Sequence, residues 1–132
     1  MKEKYIVTNV PVDALVKYAE DPLFWWGHTH VERKHIKRFL KGRPRLVGWD
    51  KINRAGNDRV KERALHAEYI AYFVRKGWRE PIEVGVGGTL KKPALNIFDG
   101  HHRLAAAVYR RDKFIKAEIN DTLISRIIFE VK

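Results

Sequence analysis

A chain of 132 residues, 45% hydrophobic and 33% charged, has the length and composition of one globular domain that can bury a core without disulfides or a structural metal. The absence of cysteine excludes a disulfide framework, a thiolate metal site and a cysteine nucleophile, and with no long apolar run the expectation is a soluble, cytoplasmic protein with no membrane partner. The 27 Lys and Arg against 16 Asp and Glu give a formal +11, which favours a polyanionic partner because each neutralised phosphate releases counterions.

Tyr5 to Val10 is a short β-prone run closed by Pro11, and Asp13 to Glu20, with Ala14, Leu15 and Tyr18, suits a short helix that Asp21-Pro22 stops. Thr29 and Glu32 have the spacing of a capping box, so a helix is expected from about His30 to Lys41 with Gly42 as its stop. Its apolar stripe is Val31, Ile36, Phe39 and Leu40, and Arg33, Lys34, Lys37, Arg38 and Lys41 fill the rest. Arg43 to Asn57, with Pro44, Gly48 and Gly56 and no clear period, reads as a long basic loop.

Asn57 or Asp58 can cap the longest helix, Arg59 to Lys76, where Val60, Ala64, Ala67, Ala71 and Val74 recur at helical spacing before Gly77. Ile82, Val84 and Val86 alternate as in a half-buried strand, Gly87-Gly88 and Pro93 break the chain, and Leu95 to Phe98 resumes it. After Asp99-Gly100 the Ala- and Leu-rich run Arg103 to Arg111 predicts a helix, Ile115, Ala117 and Ile119 a returning strand, and Ile127 to Val131 a last β-prone run, before which Asp121 to Arg126 can wind into a helical turn. The class is α+β: a small mixed sheet flanked by helices in a single domain, residues 1–132.

The Asp99-Gly100-His101-His102-Arg103 turn carries the chemistry. A helix opening straight after a strand and a glycine presents unpaired backbone N–H groups and the positive end of its dipole to an anion. Gly100 lets the backbone approach, Arg103 adds a planar fork of donors, and His101 or His102 can donate a hydrogen bond or move a proton near neutral pH. Asp99 repels phosphate unless it binds a cation, holds a histidine or accepts a hydroxyl proton. The alternative is an ordinary Asp-Gly turn with Asp99 as a cap and Arg103 on the helix surface.

The segments Trp78-Arg79-Glu80-Pro81-Ile82-Glu83-Val84 and Asn96-Ile97-Phe98-Asp99-Gly100-His101-His102-Arg103-Leu104-Ala105-Ala106-Ala107 resemble the ParB/sulfiredoxin superfamily, and the match runs from Arg59 to Asn120. Tyr5 to Leu15 resembles the family's first strand and the element after it. Residues 19–57 have no counterpart and stand as a basic insertion of helix and loop. The resemblance implies that Gly100, His101, His102 and Arg103 bind the phosphates of a nucleotide (ATP, ADP or CTP), with Mg2+ at Asp99. In the branch similar to free-serine kinases a glutamate upstream of the box acts as base, for which Glu80, Glu32 and Glu62 are candidates. With Asp99 and His102 placing a cation or water, Asp99, His102 and Glu80 form the candidate catalytic set. Sulfiredoxins carry a cysteine where this box has histidine, so sulfinic-acid repair is not expected. Partition ParB proteins continue into helix-turn-helix and dimerisation domains, whereas this sequence runs only from Asn120 to Lys132 beyond the last matched strand, so a complete chromosome-segregation ParB is not expected.

Three other groupings deserve weighing. His28, His30, Glu32 and His35 can chelate a metal, although the capping box already employs Glu32. Trp25, Trp26, Trp49 and Trp78 beside basic residues can stack on nucleobases, Trp49 on the basic loop foremost, or can simply pack. Arg33, Lys34, Lys37, Arg38, Lys41, Arg43 and Arg45 can follow a nucleic-acid backbone or form a solvated face. The expected function is a ParB-like phosphate- or nucleotide-binding domain acting on nucleic acid, with nuclease or nucleotide hydrolysis within its range. The alternatives are a small-molecule kinase similar to free-serine kinases and a non-catalytic interaction protein of a mobile element.

Overall fold

In Ile82-Glu83-Val84-Gly85-Val86 every second side chain is apolar and buried, which makes this segment a strand with one wet face. A computed structural model, which describes residues 4–56 and 58–129, builds this strand into a four-stranded sheet. The strands are β1 (Tyr5–Pro11), β4 (Ile82–Gly88), β5 (Pro93–Asp99) and β6 (Phe114–Asn120), in the spatial order β1-β6-β4-β5. β1 runs antiparallel to β6, β6 parallel to β4, and β4 antiparallel to β5. The α+β class expected from the sequence is therefore present.

Two contact units divide the chain: Met1–Leu23 with Arg79–Lys132, and Phe24–Trp78. In the first, Pro11 ends β1 and opens helix α1 (Val12–Tyr18), which buries Val12 and Leu15, and Val12 N–H donates to the Lys113 carbonyl at 2.9 Å. The β4–β5 turn needs Gly88, because at φ +75° a Cβ there would lie 2.3 Å from the Lys92 carbonyl oxygen. Helix α5 (His101–Arg110) buries Leu104 and three alanines, Ala105, Ala106 and Ala107, whose small side chains let its backbone pack closely. Beyond the last parallel backbone pair, Val84 with Ile119, the buried Asn120 amide continues the ladder. Its Oδ1 accepts from Val86 N–H at 2.7 Å and its Nδ2 donates to the Val86 carbonyl at 2.8 Å.

Ile127 to Phe129 of the last β-prone run are instead helical, in α6 (Leu123–Phe129), which takes in the helical turn open to Asp121–Arg126; Glu130 and Val131 lie outside the described residues. Thr122 and Ser125 explain the reversal. Ser125 N–H donates to Thr122 Oγ1 and Thr122 N–H to Ser125 Oγ, a reciprocal cap, and Ser125 and Phe129, four apart, are buried on one face.

The unit Phe24–Trp78 holds a two-stranded hairpin, β2 (Trp25–Trp26) with β3 (Thr29–His30), and three helices, α2 (Arg33–Leu40), α3 (Gly48–Arg54) and α4 (Arg59–Lys76). Ile36, Ile52, His66, Ala67, Ile70 and Ala71 are buried in it. α4 begins and ends where the sequence predicts, with Asp58 accepting from Lys61 N–H at 3.1 Å and Gly77 closing it; Asn57, the other candidate cap, lies outside the described residues. Its buried stripe differs from the predicted one, however: Val60 and Ala64 are exposed and His66 and Ile70 are inside.

Two further expectations are corrected. Thr29 is paired with Trp26 in the hairpin, so α2 starts later and its capping box is Glu32 with His35, Glu32 N–H donating to His35 Nδ1 at 2.9 Å. The expected loop after Arg43 contains α3, formed because Ile52 and Ala55 bury a short apolar stripe that three residue spacings bring to one side. Of residues 19–57, those from Phe24 onward fall in a contact unit that runs on through α4 to Trp78. No helix among the described residues is long and apolar enough to cross a membrane.

Candidate functional site

β5 delivers the Asp99–Arg103 turn through an irregularity in its pairing. Glu83 lies opposite Asp99 while Val84 lies opposite Ile97, so Phe98 is an extra, bulged residue and the strand is re-aimed just before the turn. Gly100 then adopts φ +107°, which residues with a side chain rarely adopt, and a Cβ there would lie 2.3 Å from Ile82 Cγ2. Gly100 is thus required by packing on β4 as well as by the turn. α5 starts after it with no side-chain cap, and the first amide in that opening with an acceptor inside the turn is Leu104 N–H, which donates to the Gly100 carbonyl at 2.8 Å.

The side chains of the turn are engaged by the fold. Arg103, 11% exposed, donates from Nη1 to the carbonyls of Glu80 at 2.8 Å and Pro81 at 3.3 Å, and from Nη2 to Asp99 Oδ2 at 3.1 Å. The guanidinium therefore clamps the entry to β4 onto the start of α5. The Asp99 side chain is 63% exposed. His102 is buried, with 4% of its surface accessible. His101 is half-buried; burial pushes its pKa below the ordinary histidine range, while the carboxylates of Asp21 and Asp99 oppose that shift. Glu80 enters this constellation by its backbone carbonyl, and its expected role as a side-chain base gains nothing from that contact.

Packing thus engages Gly100 and internal hydrogen bonds engage Arg103 within the fold. The set fits Mg2+ poorly: Asp99 is drawn to Arg103, and among the described residues no group of three or more His, Asp or Glu side chains is arranged to hold a metal ion. That applies equally to His28, His30, Glu32 and His35. There His35 and Glu32 close the α2 cap, and His30 stacks on Trp25 with ring centroids 4.5 Å apart. Lys34, hydrogen-bonded to Glu32, holds that carboxyl below the usual range, and burial followed by the Arg63 charge lowers His35.

The basic candidates are all in the unit Phe24–Trp78, and Arg33, Lys34, Lys37, Arg38, Lys41, Arg43 and Arg45 are all exposed. Counting that unit alone, 14 Lys and Arg against 5 Asp and Glu give +9; the remainder of the chain, 13 against 11, carries +2. Lys34 pairs with Glu32 at 3.2 Å and Arg45 with Glu68 at 3.9 Å, whereas no carboxylate among the described residues forms an ion pair with Lys37, Arg38, Lys41 or Arg43. The sequence signalled the basic segment but not its confinement to one unit, which only the fold defines.

The same unit holds an aromatic cluster. Trp26 stacks on His66 with centroids 4.3 Å apart and planes 15° from parallel, and Trp49 meets His66 edge-on at 5.9 Å. His66 is buried, which lowers its pKa against the opposing influence of Glu62, whose Oε1 is 3.5 Å from Nε2. Trp78 packs edge-on against Phe73, a structural position. No family model matches the chain, and no curated protein or solved structure matches it either.

Proposed function

We propose that this protein binds nucleic acid through the unit Phe24–Trp78, in a chain whose Asp99–Arg103 turn and flanking strands resemble the ParB/sulfiredoxin superfamily. One observation carries the reading: +9 of the formal +11 lies in that unit. Seven exposed cations, from Arg33 on α2 to Arg45 beyond it, contribute to that charge. Carboxylates within the protein leave Lys37, Arg38, Lys41 and Arg43 without ion pairs among the described residues, so counterions neutralise them until a polyanion displaces those ions. A solvated basic face is the competing explanation, and the two differ in a measurable way. Binding of nucleic acid titrated against salt should be tight at low salt and fall steeply as salt rises. No binding at low salt overturns the proposal.

A second reading, a nucleotide-dependent phosphotransferase similar to the free-serine kinases, is favoured by the opening of α5, which follows a strand and Gly100 with no side-chain cap and so suits a phosphate oxygen. On this reading the main-chain amides, not Arg103, make the contact. ATP, ADP or CTP with Mg2+ then raises the melting temperature, because a ligand that binds only the folded state stabilises it. A melting temperature unmoved by all three sinks this reading and leaves the first intact.

A further inference from the structure

Within the unit Phe24–Trp78, three elements converge on a hollow of about 430 Å³. The hairpin supplies Trp26 and Gly27. α3 supplies Trp49 and Asn53, four apart on one face, and α4 supplies Glu62 and His66, again four apart. The volume falls in the roughly 300–1,000 Å³ range of small-molecule sites. An adjoining hollow of about 390 Å³ shares Trp26, Gly27 and Glu62 and adds Arg59 to the rim.

The chemistry of the walls is specific. Trp26 is held flat against the buried His66, so its ring is already ordered, and Trp49 leaves 48% of its surface accessible at the mouth. Flat aromatic rings suit a flat ligand, while the Asn53 amide offers a donor and an acceptor and the Glu62 carboxylate offers acceptors. The surrounding unit carries +9, so a free anion without a planar group would use the surface cations and leave these rings idle. A duplex keeps its bases stacked away from such a hollow, whereas a single strand presents them.

We propose that this hollow is a nucleobase pocket for single-stranded nucleic acid. The base lies on Trp49, Glu62 accepts from an exocyclic amine of the base, and Arg59 and the neighbouring cations follow the phosphates. This rests on the nucleic-acid reading above and adds the form of the nucleic acid and the place where its base sits.

The test compares a short single-stranded oligodeoxycytidylate with the same strand annealed to its complement, at matched phosphate concentration, by fluorescence anisotropy. The single strand should bind about 10-fold or more tightly than the duplex, within what base-aromatic stacking supplies. Trp49→Ala should remove that preference and Trp49→Phe, which keeps a ring, should restore most of it. Trp25→Ala, at a ring that lines neither hollow and stacks on His30, should leave it unchanged. Melting curves identify any variant that fails to fold, and the Phe variant then decides the case. Equal binding of both forms, a duplex preference, or a preference unaltered in Trp49→Ala overturns the pocket while leaving the polyanion surface standing. Absence of binding to either form removes both.

Discussion

Replacing Arg103 by alanine separates a guanidinium that braces the fold from one reserved for a ligand. Its hydrogen bond to the Glu80 carbonyl is 2.8 Å and that to the Pro81 carbonyl 3.3 Å. A hydrogen bond from a charged donor contributes about 1.5–3 kcal/mol, with the lower end appropriate here because Glu80 is exposed and water replaces the lost partner. The longer bond contributes less. The partner carboxylate of Asp99 is 63% exposed, and such a pair contributes at most about 1 kcal/mol. Arg103→Ala should therefore destabilise the protein by about 2–3 kcal/mol and Asp99→Ala by less than about 1 kcal/mol. Urea unfolding followed by tryptophan fluorescence reads both as shifts of midpoint at constant slope. A midpoint for Arg103→Ala equal to that of the parent refutes the brace, and equal losses in the two variants would place the energy in the charge pair instead of the carbonyls.

Asn120→Ala should cost about 2–4 kcal/mol, because both main-chain polar groups of the buried Val86 lose their partner; a midpoint within experimental error of the parent contradicts the side-chain ladder. Gly100→Ala forces a side chain into a left-handed conformation and against Ile82, so a loss of about 2–5 kcal/mol is expected by the same assay, with Ile82→Ala in the same chain recovering part of the strain. Stability should also fall on mild acidification. His66, His101 and His35 all have pKa values lowered chiefly by burial, so below about pH 6.5 the unfolded chain takes up protons that the folded chain refuses. The contribution is complete above that pH and shrinks as pH drops toward the folded values; Asp121, held down by Arg126, extends the loss below about pH 4. A urea midpoint that stays flat or rises between about pH 7 and pH 5 contradicts this.

What could be read from residues alone follows the strength of the local signal. Asp58 and Gly77 are a cap and a stop that act within a few residues, and α4 lies between them as expected. The alternation of β4 and of β6 survives because one face is buried and the other is not, a distinction every second residue repeats. The failures lie where a partner distant in sequence decides. Thr29 has capping chemistry but is claimed by Trp26, and Ile127 and Ile128 are β-prone but sit in a helix whose start Thr122 and Ser125 fix. At the turn, the sequence identified the residues that converge but could not show that Glu80 and Pro81 present their carbonyls to Arg103, since no spacing links positions 22 and 23 apart. The aromatic cluster was half legible: Trp49 stood out among basic residues, whereas His66 lay outside the stripe read from Val60, Ala64, Ala67, Ala71 and Val74.

The central claim, that the cations of Phe24–Trp78 hold a polyanion, is tested most directly by the salt dependence of nucleic-acid binding in a Lys37→Gln, Arg38→Gln, Lys41→Gln, Arg43→Gln variant. These exposed side chains make no ion pair among the described residues, so the variant should unfold at the parent's urea midpoint. If each contacts one phosphate, the slope of log affinity against log salt should become shallower by about 3, at roughly 0.7–0.9 per phosphate. An unchanged slope would contradict the account.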